Sequence, residues 1–199
     1  MNRFLLAAAL LVGAVPAAAE LPIAATLPYP VVEIETSAGR IVLQLDRPRA
    51  PITVENFIRY VLDEQYDGTI FHRVIDGFVI QGGGYDADYR ERPTRDEIVN
   101  ESGNGLSNVI GTIAMARHTE PHTATAQWYI NVADNVRLDP SARRWGYTVF
   151  GRVIEGLEII DRIAQVQTGP GGPFPSDVPV EPVVITAARV IDPPETSTE

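Results

Sequence analysis

The chain is most informative in the run Phe71-His72-Arg73-Val74-Ile75-Asp76-Gly77-Phe78-Val79-Ile80-Gln81-Gly82-Gly83. It places one arginine and one glutamine among aromatic and aliphatic residues at the spacing of a β-strand, where alternate side chains point to opposite faces. Alternation puts Phe71, Arg73 and Ile75 on one side and His72 and Val74 on the other. A cation held in an apolar groove can stabilise developing charge. An ordinary half-buried strand with an exposed arginine has the same pattern, so other segments must decide.

Four other stretches of sequence bear on whether this arginine is catalytic. They are Gly111-Thr112-Ile113-Ala114-Met115-Ala116-Arg117, then Ala126-Gln127-Trp128-Tyr129-Ile130-Asn131, then Leu138-Asp139 followed by Gly146-Tyr147-Thr148-Val149-Phe150-Gly151-Arg152-Val153. In content, order and spacing, these segments and the first run resemble the signature of the cyclophilin family of peptidyl-prolyl cis-trans isomerases. The resemblance runs from about Val31 to about Asp192, and it is strongest to the compact bacterial exported members.

Hydrophobic periodicity by itself indicates a mainly β domain with a few helices. Strands are predicted for Val31 to Thr36, Ile41 to Leu45 and Val183 to Ile191, helices for Pro51 to Asp63 and Leu157 to Ala164, and irregular structure for Gly169 to Pro182. The resemblance implies more than this. It implies a closed antiparallel eight-stranded barrel capped by two α-helices, packed solid, with the site in a groove on its outside.

Length and composition fit one domain. A chain of 199 residues with 45% hydrophobic content can bury one sizeable core, and we expect a monomer. The net charge of −10 argues against nucleic acid as a partner, because phosphate binding needs clustered lysine and arginine. Without cysteine the chain has no disulfide, no thiolate nucleophile and no lipoprotein attachment site.

The N-terminal segment has the pattern of a secretory signal peptide. Met1-Asn2-Arg3 carries one positive charge, Phe4 to Val15 is apolar, and Ala17-Ala18-Ala19 provides an A-x-A cleavage site before Glu20. A membrane anchor or a buried helix is the alternative, but a membrane span needs about 20 apolar residues and this stretch is shorter. We therefore divide the chain into a signal peptide (1–19), a lead-in segment (20–30), an isomerase domain (31–192) and a disordered tail (193–199). The mature protein is expected in the periplasm, without a membrane span.

The chemistry of prolyl isomerisation explains why an arginine would be needed. Rotation about an X-Pro bond is slow because resonance gives the C–N bond partial double-bond character, although no bond has to be broken. As the amide twists, the prolyl nitrogen gains a lone pair, so a donor aimed at it favours the twisted state. Arg73 is predicted to be that donor, since its guanidinium stays charged and its planar fork can also hold the substrate carbonyl.

The resemblance implies the other site residues. Catalytic roles are implied for Arg73, Gln81, Phe78 and Tyr147, and substrate-binding roles for Val79, Ala116, Arg117, Gln127, Tyr129, Arg137 and Leu138. Gln81 would orient Arg73, and Tyr147 stands where many members have a histidine that donates to the substrate carbonyl. Arg137 stands where the members that bind cyclosporin tightly have a tryptophan. Many members have phenylalanine at the position of Tyr129. The added hydroxyl of Tyr129 needs a hydrogen-bond partner if it is buried.

Other interpretations of these residues remain open. Plain core packing is the alternative for Phe78 and Leu138. His118 and His122 are separated by Thr119, Glu120 and Pro121, so they do not lie on one face of a helix, and the chain has no cysteine to add as a ligand. No metal site is therefore predicted. No cofactor is predicted either. The predicted function is acceleration of X-Pro rotation that assists the folding of exported proteins, with proline-containing unfolded or partly folded proteins as partners. A non-enzymatic proline-peptide-binding or chaperone module of the envelope, and a structural domain of an envelope assembly, are the alternatives.

Overall fold

The computed structural model describes residues 22–193, so the predicted signal peptide and residues 194–199 of the predicted tail lie outside the described residues. The described chain has helices α1 (Ile23–Thr26), α2 (Pro51–Leu62) and α3 (Leu157–Ala164), and strands β1 (Val31–Thr36), β2 (Gly39–Leu45), β3 (Arg73–Ile75), β4 (Val79–Gly82), β5 (Thr112–Met115), β6 (Trp128–Asn131), β7 (Val149–Glu155), β8 (Thr168–Gly171), β9 (Phe174–Pro179) and β10 (Ile185–Ile191). Eight strands form one antiparallel sheet in the order β10-β1-β2-β7-β5-β6-β4-β3, while β8 and β9 form a separate hairpin.

The large sheet curls until its two edges meet. The chain just before β3 bonds to the chain at the start of β10: Gly68 N donates to Ile185 O (2.8 Å), Ile185 N to Thr69 O (2.7 Å) and Phe71 N to Val183 O (3.0 Å). Strands β3 and β10 themselves do not pair, so the barrel is joined only at this end. The predicted mainly β, eight-stranded antiparallel barrel is thereby confirmed. Its closure consists of this short junction.

The inner face of the curled sheet carries the core. Val74, Ile80, Ile130 and Ile113 are directly paired from strand to strand and are all buried. At their centre Trp128 is fully buried, with the rings of Phe57, Tyr66 and Phe71 edge-on or nearly so to its indole. Burying one such aromatic side chain stabilises the fold by about 1.5–3 kcal/mol.

Helices α2 and α3 pack on the barrel, as predicted. In α2 the buried residues Val54, Phe57 and Val61 recur at helical spacing. Pro51 begins the helix, where its missing N–H removes no hydrogen bond. The Glu101 carboxylate accepts the backbone N–H of Thr53 at 2.8 Å, so a distant loop caps this helix.

Outside the barrel strands the structure adds one helix and contradicts one prediction. The lead-in segment before Val31 contains the short helix α1, which adds a third helix to the two that were predicted. Ala25 of α1 is fully buried, and the Arg47 guanidinium donates to backbone oxygens of Ala25 and Leu27. This single turn therefore depends on tertiary contacts that local sequence does not reveal.

The predicted irregular stretch from Gly169 to Pro182 instead contains the hairpin of β8 and β9. Pro170 lies at a register shift between Gly169 and Gly171, where the ladder requires no N–H from it. Gly172 makes the turn with φ of +50°. A hairpin of this kind tolerates glycine and proline because few of its backbone groups are paired.

This hairpin covers His72, which lies on the outside of the barrel. The prediction that Phe71 shares a face with Arg73 is wrong, because β3 begins only at Arg73 and regular alternation does not extend before it. Phe71 lies in the core, while His72 is 2% exposed between Tyr85 (4.8 Å between ring centroids) and Phe174 (5.4 Å). Its Nδ1 has no hydrogen-bond partner among residues 22–193.

Burial of His72 makes the stability of the fold pH-dependent. Burial, with a smaller contribution from the Arg73 charge, lowers the pKa of His72 from 6.5 to about 4. The unfolded chain therefore binds more protons between these values, and the free energy of unfolding should fall by about 3 kcal/mol as pH drops through this window. Urea denaturation at a series of pH values measures this dependence.

The matched substitution distinguishes His72 from other titrating groups. His72→Phe should unfold with a shallower pH dependence between pH 4 and 6.5, whereas His118→Phe, at an exposed histidine, should keep the wild-type slope. Equal slopes for the wild type and His72→Phe would contradict this assignment.

Candidate active site

The outer face of the sheet carries a row of residues that are directly opposite one another on five strands. The register pairs Arg73 with Gln81, Gln81 with Tyr129, Tyr129 with Ala114, and Ala114 with Val149. Directly paired residues share a face of a sheet. Since the neighbouring row faces the core, this row must point outward, and it gathers residues that are far apart in sequence.

A groove runs over this row and brings the predicted site residues together. Its first part is a cavity of about 200 Å³ lined by Arg73, Phe78, Val79, Gln81, Ala116, Arg117, Tyr129, Leu138 and Tyr147, all of which are predicted site residues. Its second part, about 230 Å³, shares four of them and adds the predicted Gln127. The remaining predicted residue, Arg137, has its guanidinium 4.8 Å from the centre of the Phe78 ring.

A larger cavity of about 490 Å³ lies elsewhere, against residues such as Tyr29, Leu106 and Arg152, and contains none of the predicted residues. Volume alone would therefore select a different surface. We place the candidate site in the smaller groove because every residue that lines its first part is a predicted site residue, and because an arginine donor there faces an apolar floor.

Arg73 is held at the centre of the groove without being neutralised. Its Nη1 donates to Gln81 Oε1 at 3.3 Å, and Gln81 Nε2 donates onward to Gln127 Oε1 at 3.0 Å. The guanidinium also lies 5.8 Å from the centre of the Phe78 ring. Among residues 22–193 no carboxylate oxygen lies within 4.0 Å of it. Its charge and its other N–H groups therefore remain available to a ligand.

The turn between β3 and β4 positions Phe78. Phe78 N donates to Ile75 O at 3.0 Å, which closes a four-residue turn. Gly77 holds the third position with φ of +65°, a conformation that a side chain disfavours. The turn thus brings the Phe78 ring beside Arg73, which lies across the hairpin.

The floor of the first cavity is apolar. Val79, Ala114, Tyr129 and Val149 are buried there in a small cluster separate from the main core, and Phe78, Ala116, Leu138 and Tyr147 pack against it with part of their surface exposed. This answers the alternative of plain core packing, since Phe78 and Leu138 lie on the groove and not in the barrel interior. Such a floor can receive a small apolar ring.

The Tyr129 hydroxyl has a buried partner. It donates to Asn108 Oδ1 at 2.7 Å, and Asn108 in turn donates its side-chain N–H and its backbone N–H to Asp139 Oδ1 at 2.8 and 2.7 Å. Burial, aided by Tyr147 and Asp139, raises the pKa of Tyr129 far above its usual value, so the hydroxyl stays protonated as this donation requires.

A second chain of amides supports the same region. Asn135 Nδ2 donates to Phe78 O at 2.8 Å and to Asn131 Oδ1 at 2.9 Å, and Asn131 Nδ2 donates to Thr112 Oγ1 at 3.0 Å. These side chains are buried, and they tie the Phe78 turn to the segment that ends at Leu138. Sequence reasoning missed Asn108, Asn131 and Asn135. Only Asn131 ends an apolar stretch, where a buried amide demands a hydrogen-bond partner, whereas Asn108 and Asn135 lie in polar loop sequences that give no such signal.

Arg117 and Tyr147 form the far side of the groove. The Arg117 guanidinium lies 4.6 Å from the centre of the Tyr147 ring, and it donates to the backbone oxygens of His118, Thr119, Trp145 and Gly146. The Tyr147 ring is edge-on to Tyr129 at 5.9 Å. This side is therefore rigid and carries a second positive charge.

Comparison with known proteins identifies the family to which this groove belongs. The family model for cyclophilin type peptidyl-prolyl cis-trans isomerase/CLD matches residues 31–190. The chain belongs to this family. It is 51% identical over 158 residues to peptidyl-prolyl cis-trans isomerase A of Dickeya dadantii (strain 3937), covering 79% of this chain and 83% of that protein.

Other relatives agree. The chain is 45% identical over 163 residues to peptidyl-prolyl cis-trans isomerase B of Escherichia coli (strain K12), covering 80% of this chain and 99% of that protein. A crystal structure of a Cryptosporidium parvum cyclophilin type peptidyl-prolyl cis-trans isomerase covers 83% of this chain and 99% of its own, with a TM-score of 0.68 at 24% identity, and supports the fold. The protein is thus a peptidyl-prolyl cis-trans isomerase of the cyclophilin type.

Arg73→Ala tests the catalytic role predicted for this arginine. The substitution should lower kcat/KM by about a hundredfold or more, as loss of one preorganised donor does in other enzymes. Arg73→Lys keeps the charge but loses the planar fork, so its activity should lie between those of Arg73→Ala and the wild type. Isomerisation kinetics on a short X-Pro peptide provide the measurement.

Folding has to be separated from catalysis in this comparison. Arg73 lies in an open groove outside the core, so both variants should unfold at nearly the wild-type temperature. A folded Arg73→Ala protein with wild-type kcat/KM would rule out Arg73 as the donor.

Proposed function

We propose that this isomerase accelerates rotation about X-Pro bonds of exported proteins in the periplasm, using the groove around Arg73. The observation that carries the proposal is an arginine without a carboxylate partner among residues 22–193, placed at the mouth of an apolar cavity of about 200 Å³. One wall supplies positive charge and the floor supplies apolar contact. Acceleration of rotation about a tertiary amide can use both, the charge on the twisted nitrogen and the apolar contact on the proline ring.

The required acceleration is large but within reach of electrostatics and positioning. Uncatalysed exchange takes about 10 to 100 seconds. Turnover at roughly a thousand per second would need about five decades of rate, which corresponds to about 7 kcal/mol of barrier lowering. One preorganised hydrogen-bond donor supplies about 2.7–4 kcal/mol in other enzymes, so the grip on the substrate must contribute the remainder.

The groove offers a grip on one side of the rotating bond. The proline ring would lie on the floor between Phe78, Leu138 and Tyr129, where contact with apolar surface holds it still. Arg73 would then donate to the prolyl nitrogen as it becomes pyramidal, and Gln81 keeps the guanidinium aimed across the cavity. The planar ground states lack this nitrogen lone pair, so the donation favours the twisted state.

Tyr147 is proposed to hold the part of the peptide that turns. Its ring is fixed between Arg117 and Tyr129, and its side chain lines the same cavity as Arg73. A phenolic hydroxyl can donate to the carbonyl before proline, which is the role predicted for this position. Gln127, linked to Gln81 in the second part of the groove, would contact the peptide backbone.

An NMR exchange experiment on a short Ala-Pro peptide tests this function. The wild-type protein at catalytic concentration should broaden the cis and trans proline resonances, and Arg73→Ala should not at the same concentration. Gln81→Leu, which removes the bond to Arg73 at similar size, should give an intermediate effect. A wild-type protein that binds the peptide without accelerating exchange would favour the non-enzymatic binding module instead.

Export is proposed from the N-terminal sequence. None of the helices among residues 22–193 is long and apolar enough to cross a membrane. Mass spectrometry of protein from its native host should find a mature chain that begins at Glu20, because small residues at Ala17 and Ala19 satisfy signal peptidase.

Substitutions in the leader sharpen this test. Ala19→Leu should block cleavage, whereas Ala18→Leu, at the position between the two required small residues, should still be processed. Full-length wild-type chain recovered from the cytosol would refute export.

A further inference from the structure

Positive charge is concentrated at the groove of an otherwise acidic protein. The chain has a net charge of −10, and its sixteen basic residues are all arginine. Five of these lie at the groove or on the loop between Leu138 and Tyr147 that borders it: Arg73, Arg117, Arg137, Arg143 and Arg144. The rim is therefore basic where the rest of the surface is not.

Ion pairing is common among the arginines outside the groove and is not found at the groove within residues 22–193. Seven arginines of residues 22–193 have a carboxylate oxygen within 4.0 Å: Arg40, Arg47, Arg49, Arg59, Arg90, Arg95 and Arg189. None of the five at the groove has one within the described residues. Three arginines outside the groove, Arg92, Arg152 and Arg162, also have none and bond to an amide or to backbone oxygens. Most arginines elsewhere are thus paired with carboxylates, whereas all five around the peptide groove have no counter-charge within the described residues.

Nearby carboxylates do not supply the missing partners. Asp139 directs Oδ1 at Asn108, beneath the groove. Asp76 and Glu120 are exposed and form no ion pair with any of the five arginines. The positive potential of the rim therefore remains open to an anionic group from outside.

Arg137 is the member of this set best placed to meet such a group. Arg117 already donates to four backbone oxygens, and Arg144 donates to the backbone oxygens of Arg137 and Asp139. Arg137 is exposed, and its side chain makes no hydrogen bond within residues 22–193. Its guanidinium lies over the Phe78 ring, beside the apolar floor, with its N–H groups free for a carboxylate.

We propose that the groove prefers client segments that carry aspartate or glutamate close to the isomerised proline, and that Arg137 is the residue that sets this preference. This inference rests on the proposed function, because it assigns a substrate class to the same groove. Stacking on Phe78 restricts the Arg137 side chain, so less conformational entropy is lost when a carboxylate binds. The surrounding arginines raise the local concentration of acidic segments before contact is made.

Matched peptide pairs test the preference. The two peptides of each pair differ only in having Gln or Glu at one position, within two residues of the proline on either side. NMR exchange measures kcat/KM for both, and it needs no coupling protease, which would have a charge preference of its own. At low salt the Glu peptide should be favoured by about threefold to fivefold at one position at least, the upper range for an exposed ion pair. The ratio should shrink in about 0.5 M salt, where such charges are screened.

Variants assign the effect to Arg137. In Arg137→Gln the Glu-to-Gln ratio should fall toward one, and in Arg137→Glu it should fall below one. Arg152→Gln is the control, because it makes the same change in net charge at an exposed arginine that bonds to Gln44 and lines no part of the groove. This control should keep the wild-type ratio.

The possible results separate the two proposals. If the wild type accelerates neither peptide of any pair, the proposed function fails. If it accelerates both peptides of every pair equally, the function stands and the acidic preference is overturned. A preference that survives in both Arg137 variants, or disappears equally in Arg152→Gln, would overturn the assignment to Arg137.

Discussion

Directly paired residues of neighbouring strands share a face of the sheet, and this constraint fixes both the core and the groove. Val74, Ile80 and Ile130 must face inward to fill the barrel, so the next row of residues must face outward. A slip of one residue in β4 would exchange Gln81 with Ile80 and lose core and site together. The stability of the barrel and the arrangement of the groove therefore depend on the same strand register.

The groove also depends on buried polar contacts beneath it. Leu138 and Arg137 lie on a short segment between Asn135 and Asp139, and both ends of that segment join the amide network. An unsatisfied buried amide or hydroxyl costs about 1–3 kcal/mol, so the network strongly favours one arrangement of the segment. Its consequence at the surface is a Leu138 side chain and an Arg137 guanidinium that stay beside the Phe78 ring.

The sequence predicted the parts of the molecule that local pattern determines, and missed those that depend on distant contacts. Alternation predicted that Arg73 lies on a strand, and the resemblance implied that Gln81 and Tyr129 belong to the same site; the structure has all three on neighbouring strands. Asn108 could not be assigned, because its partners Tyr129 and Asp139 are recognisable only once the strands are paired. The hairpin of β8 and β9 was hidden by its glycine and proline content.

The same absence of counter-charge within residues 22–193 suits Arg73 and Arg137 to the separate roles proposed for them. A carboxylate beside Arg73 would accept the guanidinium N–H bonds before the substrate twists. The prolyl nitrogen could then accept a hydrogen bond from Arg73 only if that ion pair were broken. At Arg137 an internal carboxylate would cancel the field that attracts an acidic segment. The fold meets both needs by bracing these arginines with an amide and an aromatic ring, which fix a guanidinium without neutralising it. The catalysis and the client choice that we propose thus depend on one electrostatic arrangement of the groove.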